Sequence, residues 1–331
     1  MKFCIIGGKG RMGRFFEKIL VRKGHEVSIL DREDYDRMDS LVNDADITLV
    51  SCPLSVAAKV ITDLSKVADD EKLVIDLSSV MGGNLKAMKS LPCGAAFVHP
   101  LFGPEVTSLN NQNFVVAPVN HSDKLESFLD FIREENGNIT KAQPSEHDKI
   151  MGVVQCLTHF NNMVFAKTLA EQSLFDTKAR GFATSLFRIN RNILSRMFSQ
   201  SADMIAGLQT NNASFVEMIE DHKRNFEELF EAVKSGDSGK IEGIFEESSD
   251  LRLTRPAKNW DRDAVAVLGP RGSFSDAACS FYLESMNKEE KVIYGDTVDE
   301  IIHAIKDGKV KLGIIPLENS IQGTLNEALD G

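Results

Sequence analysis

Residues 2–13, KFCIIGGKGRMG, decide how the chain folds. Lys2–Ile6 is an apolar run of strand length, Gly7–Gly13 is glycine-rich, and Arg14–Lys23 has the period of a helix. Gly8, Gly10 and Gly13, with Lys9, Arg11 and Met12 between them, fit G-x-G-x-x-G directly after a strand and opening a helix. Gly8 permits a tight turn, Gly10 lets the backbone approach a pyrophosphate, and Gly13 permits close packing of helix on strand. The helix N-terminus faces the anion with free N–H groups. A second strand, Glu26–Leu30, ends at Asp31, whose carboxylate can accept both ribose hydroxyls of NAD and would repel a 2′-phosphate. Arg32 could meet an adenine face or a phosphate, so NADP is disfavoured. The same turn also occurs in α/β proteins that bind no nucleotide.

Working outward, further strands are expected at Ile47–Ser51, Leu73–Leu77, Ala96–His99 and Phe114–Ala117, with helices at Ser55–Lys66 and Lys124–Glu135. Strands alternating with helices imply a Rossmann-type parallel sheet with both faces covered. The pattern changes near Gln143. From Glu146 to about Glu247 the apolar period is helical throughout, as in Phe226, Leu229, Phe230 and Val233. Helices apolar on more than one face bury the surplus in a partner, so this is expected to be an all-helical dimerisation domain. After the polar stretch TRPAKNWDR a partial third α/β unit begins. The expected domains are residues 1–142, 143–252 and 263–331, with a linker at 253–262.

The composition narrows the function. The 331 residues carry 38 Lys and Arg against 49 Asp and Glu, a net charge of −11 that disfavours a nucleic-acid surface. No apolar run reaches the roughly 18 residues of a membrane span. Five scattered cysteines, with no Cys-x-x-Cys pair, support neither a disulfide framework nor a zinc site. A reducing cytoplasm is the expected compartment.

Several residues are placed for chemistry. Cys52 and Pro53 end the third strand and Ser79 follows the fourth, at the edge where open sheets hold ligands; each also fits an ordinary strand-to-helix turn. His99, in VHPLFGPE, stands at a strand's carboxyl end, placed for proton transfer beside a nicotinamide, or is a loop histidine satisfied by backbone. His159 shares a narrow polar stripe with Gln155 and Asn162, which either lines a polar cavity or pairs across helices. Arg188 and Arg196, eight apart, share a helix side and suit a substrate with two carboxylates, or face solvent. His147, in SEHDK, is most simply part of a helix start, with Ser145 as N-cap and Asp148 at the third helical position.

In order and spacing, Gly8–Gly13, Asp31, Asp76–Val80, His99–Pro104, Glu146–His159 and Arg188–Arg196 resemble the motifs of prephenate dehydrogenase over about residues 1–250, particularly its enteric, NAD-using branch. The resemblance implies oxidative decarboxylation of prephenate to 4-hydroxyphenylpyruvate in tyrosine biosynthesis. It assigns proton acceptance to His99, orientation of His99 or of the hydroxyl to Ser79, carboxylate binding to Arg196 with Arg188, and the substrate side of the cleft to His159. It also implies a homodimer through the helical domain. Arogenate dehydrogenase, or a β-hydroxyacid or imine reductase of similar plan, is the alternative. A non-enzymatic NAD-sensing module is the third reading. Residues 263–331, with LGPRGSFSDAA and GIIPLENSIQGTLNEALD, resemble the opening of prephenate dehydratase, as in a dehydrogenase–dehydratase fusion. The family's later catalytic motif is not among them, so Glu318, Asn319 and Ser320 would be half a site, and dehydration by this chain is not expected.

Overall fold

The computed structural model describes residues 1–172, 181–249, 258–269, 273–316, 318–319 and 323–324. They divide into two compact units, residues 1–223 and 224–331.

In the first unit, β1 (Lys2–Ile6) leads into α1 (Arg11–Arg22), β2 (Glu26–Leu30), a 3-10 turn (Arg32–Arg37), α2 (Met38–Asp44), β3 (Ile47–Val50), α3 (Leu54–Leu64), β4 (Leu73–Asp76), α4 (Leu85–Lys89) and β5 (Gly94–Pro100). Then come β6 (Asn113–Asn120), α5 (Asp123–Glu134) and β7 (Asn138–Lys141). The strands form one sheet in the order β2-β1-β3-β4-β5-β6-β7. The chain leaves β1 toward β2 and returns to β3 on the other side of β1, so a crevice opens at the carboxyl ends of β1 and β3.

The period of two along β1 builds both cores. Phe3 and Ile5 face α1 and α5, packing with Phe15, Phe16, Ile19, Leu20, Phe128 and Ile132. Cys4 and Ile6 face the other way, toward Val42, Val60, Ile61, Leu64 and Met88 of α2, α3 and α4. Strands covered on both faces read as continuous apolar runs, which is why KFCII, ITLV and LVID carry almost no polar residue.

The sheet departs from the all-parallel expectation in one place. β6 runs antiparallel to β5, with His99 opposite Val115. The connection from residue 101 to 112 contains no helix, and a parallel return needs a crossover of a dozen or more residues, usually helical. β7 is a strand the sequence did not announce: NITK is short and largely polar, and it pairs parallel to β6 at the sheet edge.

The helical part begins at α6 (Pro144–Met151), continues through a π-helical turn (Gly152–Leu157) into α7 (Thr158–Glu171), and resumes with α8 (Ser185–Phe198), α9 (Ala202–Asn211) and α10 (Ala213–Ser235). Thr184 and Ser201 cap α8 and α9 through their side-chain oxygens. The apolar clusters here are small: Val80, Cys156, Leu208 and Phe215 form one, and Leu194, Met197 and Ile205 another. The border between the two units falls within α10.

The second unit holds the rest of α10, α11 (Ser238–Ser249), and an α/β segment of β8 (Val265–Leu268), α12 (Phe274–Ser285), β9 (Val292–Gly295), α13 (Val298–Lys306) and β10 (Leu312–Ile314). These strands are parallel in the order β10-β8-β9. A two-residue pairing, β11 (Glu318–Asn319) with β12 (Gly323–Thr324), follows. Residues 253–257 of the expected linker and Ser320 lie outside the described residues.

Candidate active site

The glycine turn has the geometry that a dinucleotide requires. Gly7 takes φ +79°, and the Gly10 N–H bonds Gly7 O at 3.0 Å. A Cβ on Gly13 would stand 2.6 Å from both Gly7 O and Gly8 Cα, so only glycine lets α1 lie this close to β1. Gly10 caps α1 without a side chain, which leaves the first N–H groups of the helix, from Arg11 through Gly13, directed at the crevice. Asp31 closes the far end. Its Oδ1 accepts from Arg32 N at 2.9 Å and its Oδ2 from Lys9 N at 3.2 Å. The Lys9 ammonium is drawn to Glu33 and Asp34, at 2.7 and 3.4 Å. Asp31, Glu33 and Asp34 outnumber the one ammonium among them, so the end of β2 keeps a net negative charge. The uncapped helix end, the glycine cradle and Asp31 together fit NAD.

Not every residue of the turn contributes its side chain. Met12, in the first turn of α1, packs against the core, so its contribution is its backbone N–H. The Arg11 guanidinium is held by Glu105 and donates to Ser199 O at 3.1 Å. Arg32 is exposed. Pro53 is the N-cap of α3, and Cys52 sits in the turn before it. Burial pushes the Cys52 thiol up to about 12, with the charges of Asp31 and Asp76 adding, so it is no nucleophile.

At the end of β4, Asp76 is fully buried. Its oxygens accept from Ser78 N (3.0 Å), Ser78 Oγ (2.6 Å) and Asn84 Nδ2 (2.7 Å), bonds that shape the loop carrying Ser79. Burial raises Asp76 to about 6 against those bonds. The Ser79 side chain has no hydrogen bond among the described residues; Ser78 is the serine tied into the network.

His99 lies at the carboxyl end of β5 and is 2% exposed. Its Nδ1 stands 2.9 Å from Nε2 of His147, with the ring planes at 77°. His147 Nδ1 stands 2.8 Å from Asp148 Oδ1. The same carboxylate accepts the N–H of Met81 at 2.9 Å and of Gly82 at 2.7 Å. His99 Nε2 has no partner among the described residues. Burial pushes the His99 imidazole down to about 3, and the neighbouring His147 ring acts in the same direction.

This corrects the reading of SEHDK as a simple helix start. The N-cap of α6 is Gln143, with Pro144 as the first helical residue, and Ser145 caps nothing. His147 and Asp148 are buried against the sheet, and the ring nitrogen within hydrogen-bond distance of His99 Nδ1 is Nε2 of His147. Two buried polar neighbours on one turn of α6 were the available signal, but only the packing of α6 on the loop after β4 gives them partners.

The remaining candidates lie on the helices. His159 follows the π turn, which shifts it from the i, i+4 relation to Gln155 expected of an unbroken α-helix. Its Nδ1 and the Gln155 and Gln209 Oε1 atoms are buried without hydrogen-bond partners among the described residues, and burial lowers the His159 pKa. Arg188 and Arg196 are exposed on α8 and have no ion pair among the described residues. They are about 12 Å apart along the helix axis. Arg196 lies one turn from Ser199, the residue whose carbonyl meets Arg11, so Arg196 is the nearer of the two to the glycine turn.

His99 and Asp76 give stability opposite pH dependences. His99 has a folded pKa below its ordinary 6.5, so its contribution is full above about 6.5 and is lost as pH falls toward 3. Asp76, raised from 3.8 to about 6, contributes below 3.8 and loses that as pH rises through 6. Urea unfolding of the wild type and His99→Asn between about pH 7 and pH 4 should show their stability difference shrinking with acidity. A constant difference would mean that His99 does not titrate on unfolding.

Known proteins match in the same regions. Residues 13–141 match the nucleotide-binding domain of prephenate dehydrogenase, residues 143–247 its dimerization domain, and residues 265–331 prephenate dehydratase. The T-protein of Enterobacter agglomerans is 30% identical over 234 residues, covering 70% of this chain and 62% of that protein. A probable arogenate/prephenate dehydrogenase of Methanocaldococcus jannaschii is 26% identical, covering 95% of this chain and 72% of that protein. The chain thus spans about 62% of the length of its Enterobacter relative. Among solved structures, prephenate dehydrogenase from Aquifex aeolicus, in complex with hydroxyphenyl propionate and NAD+, superposes with a TM-score of 0.60 at 18% identity, over 76% of this chain and 96% of that one. The chain carries the nucleotide-binding and dimerization domains of the prephenate dehydrogenase family, followed by a stretch of prephenate dehydratase.

Proposed function

We propose that this chain catalyses the NAD-dependent oxidative decarboxylation of prephenate to 4-hydroxyphenylpyruvate. The observation that carries the reading is His99: a neutral, buried imidazole at the carboxyl end of β5, with Nδ1 engaged and Nε2 unpartnered, in the sheet whose β1 and β3 ends bear the dinucleotide turn. NAD supplies the hydride acceptor. His99 Nε2 takes the proton of the 4-hydroxyl as the C4–H bond gives up its electron pair. The ring carboxylate leaves as carbon dioxide, its bonding pair entering the ring, which becomes aromatic as the C4 oxygen takes the proton back from His99. Aromatisation supplies the driving force, so the protein positions the reactants and manages one proton. Ser79, on the loop shaped by Asp76, is assigned to the substrate hydroxyl. Arg196 is assigned to a carboxylate, with Arg188 farther along α8, and His159 with its unpartnered Nδ1 to the substrate side.

The working division is a NAD-binding domain at 1–142, a helical domain at 143–252, a linker at 253–262 and a dehydratase-like part at 263–331. A homodimer through the helical domain is supported by the match to a dimerization domain and by exposed Phe226, Leu229, Phe230 and Val233 along α10. The five cysteines are free, which suits a cytoplasmic enzyme, and no described helix is long and apolar enough to cross a membrane.

Mixing the protein with NAD and prephenate should raise the absorbance of NADH, and His99→Asn should lower kcat by roughly two to four orders of magnitude. Faster turnover of arogenate than of prephenate would transfer the assignment to that amine-bearing substrate. Arg196→Gln should raise the KM for prephenate by about 10- to 100-fold, the worth of a charge-assisted hydrogen bond, with the Kd of NAD unchanged. An unchanged KM would remove Arg196 from the carboxylate site. Phe230→Glu should turn a dimer into a monomer in sedimentation velocity, and a persistent dimer would place the interface elsewhere.

A further inference from the structure

The dehydrogenase reading assigns a proton to His99 but does not say what keeps the correct nitrogen bare. We propose that His147 and Asp148 form a positioning relay that sets the tautomer of His99 and stabilises the imidazolium formed in the reaction. The inference rests on the proposed use of His99 and extends it to two residues of α6 linked in series to its Nδ1.

Counting hydrogens along the chain of contacts assigns each one. Asp148 Oδ1 receives the N–H of Met81 and Oδ2 that of Gly82. A carboxylate already accepting two backbone donors is held as an acceptor, so the ring nitrogen 2.8 Å from Oδ1 must donate. His147 therefore carries its proton on Nδ1. A neutral imidazole protonated there has a bare Nε2, and that atom faces His99 Nδ1 at 2.9 Å. His99 must then donate from Nδ1, which leaves the lone pair on Nε2, the atom without a partner among the described residues. One carboxylate thus dictates which nitrogen of a second ring is basic. When His99 gains a proton, it becomes a cation in a buried site; the donor path through His147 to the Asp148 carboxylate offsets part of that desolvation cost.

The surroundings indicate that the relay is rigidly built. His147 is 2% exposed and Asp148 6% exposed. The carbonyl of Asp148 accepts from Asn212 Nδ2 at 2.8 Å, and Asn212 Oδ1 accepts from Phe215 N at 3.1 Å. A Cβ on Gly82 would stand 2.9 Å from Asp148 Oδ2, so the loop after β4 closes directly on the carboxylate. Burying three ionisable side chains for packing alone would be unfavourable beside an apolar alternative of equal volume.

The test uses the full chain. In histidine-15N NMR of the unaltered protein near neutral pH, His99 should be protonated at Nδ1 and bare at Nε2; the reverse tautomer overturns the relay. In steady-state assays, His147→Ala should lower kcat by about 10²- to 10³-fold, with the KM for prephenate and the Kd of NAD within about threefold of wild type. Added imidazole should restore turnover, whereas thiophene, a ring of similar size with no nitrogen, should not. Equal rescue by both rings, or near-normal kcat in the variant, reduces His147 to a packing role. If the unaltered protein fails to oxidise prephenate, the dehydrogenase reading fails, while the NMR tautomer still decides the relay.

Discussion

The carboxylate of Asp148 is the contact on which the site depends. It lies on α6, where the chain leaves the sheet for the helical part, and it accepts two backbone N–H groups from the loop after β4. Those bonds fix helix against sheet in one register. His147, the preceding residue, is thereby aimed at the end of β5. The connection is polar and buried, so any slip of α6 would strand a charge and two backbone donors away from water. Specific geometry is the gain, since an apolar contact of the same area would tolerate sliding.

The dinucleotide half of the site is held by a different constraint. There the backbone itself must come close, and side-chain volume has to be absent at defined positions. Gly7, Gly8 and Gly13 crowd against Ser51, Ile29 and one another, so the turn is set by what cannot fit as much as by what bonds. Asp31, Glu33 and Asp34 then place acidic charge at the end of β2, gathered around Lys9.

Much of this was legible in one dimension because it is local. The glycine turn, Asp31 after β2 and His99 at the end of β5 are announced by residues adjacent in the chain, and a strand-turn-helix unit has few ways to fold. The strand apolar on both faces announced a covered sheet. β7 escaped notice since an edge strand of Asn, Ile, Thr and Lys carries little apolar signal. The antiparallel turn of β6 depended on a missing crossover helix, which the strand pattern alone does not reveal. The burial of His147 is not legible in the sequence, since a polar residue in the first turn of a helix is ordinarily a solvated one.

The amino-acid order by itself determined the Rossmann-type sheet, the dinucleotide turn and the helical second part, because each follows from short-range periodicity and steric rules; the family followed from the resemblance of its motifs. Tertiary structure alone decided that His147 and Asp148 stand behind His99, that buried Asp76 ties down Ser78 and Asn84, and that Arg11 turns toward Glu105 and Ser199. The physical reason is distance along the chain. Residues 99 and 147, or 11 and 199, meet only after the cores have packed, and no local pattern encodes the partner that a buried polar atom will find.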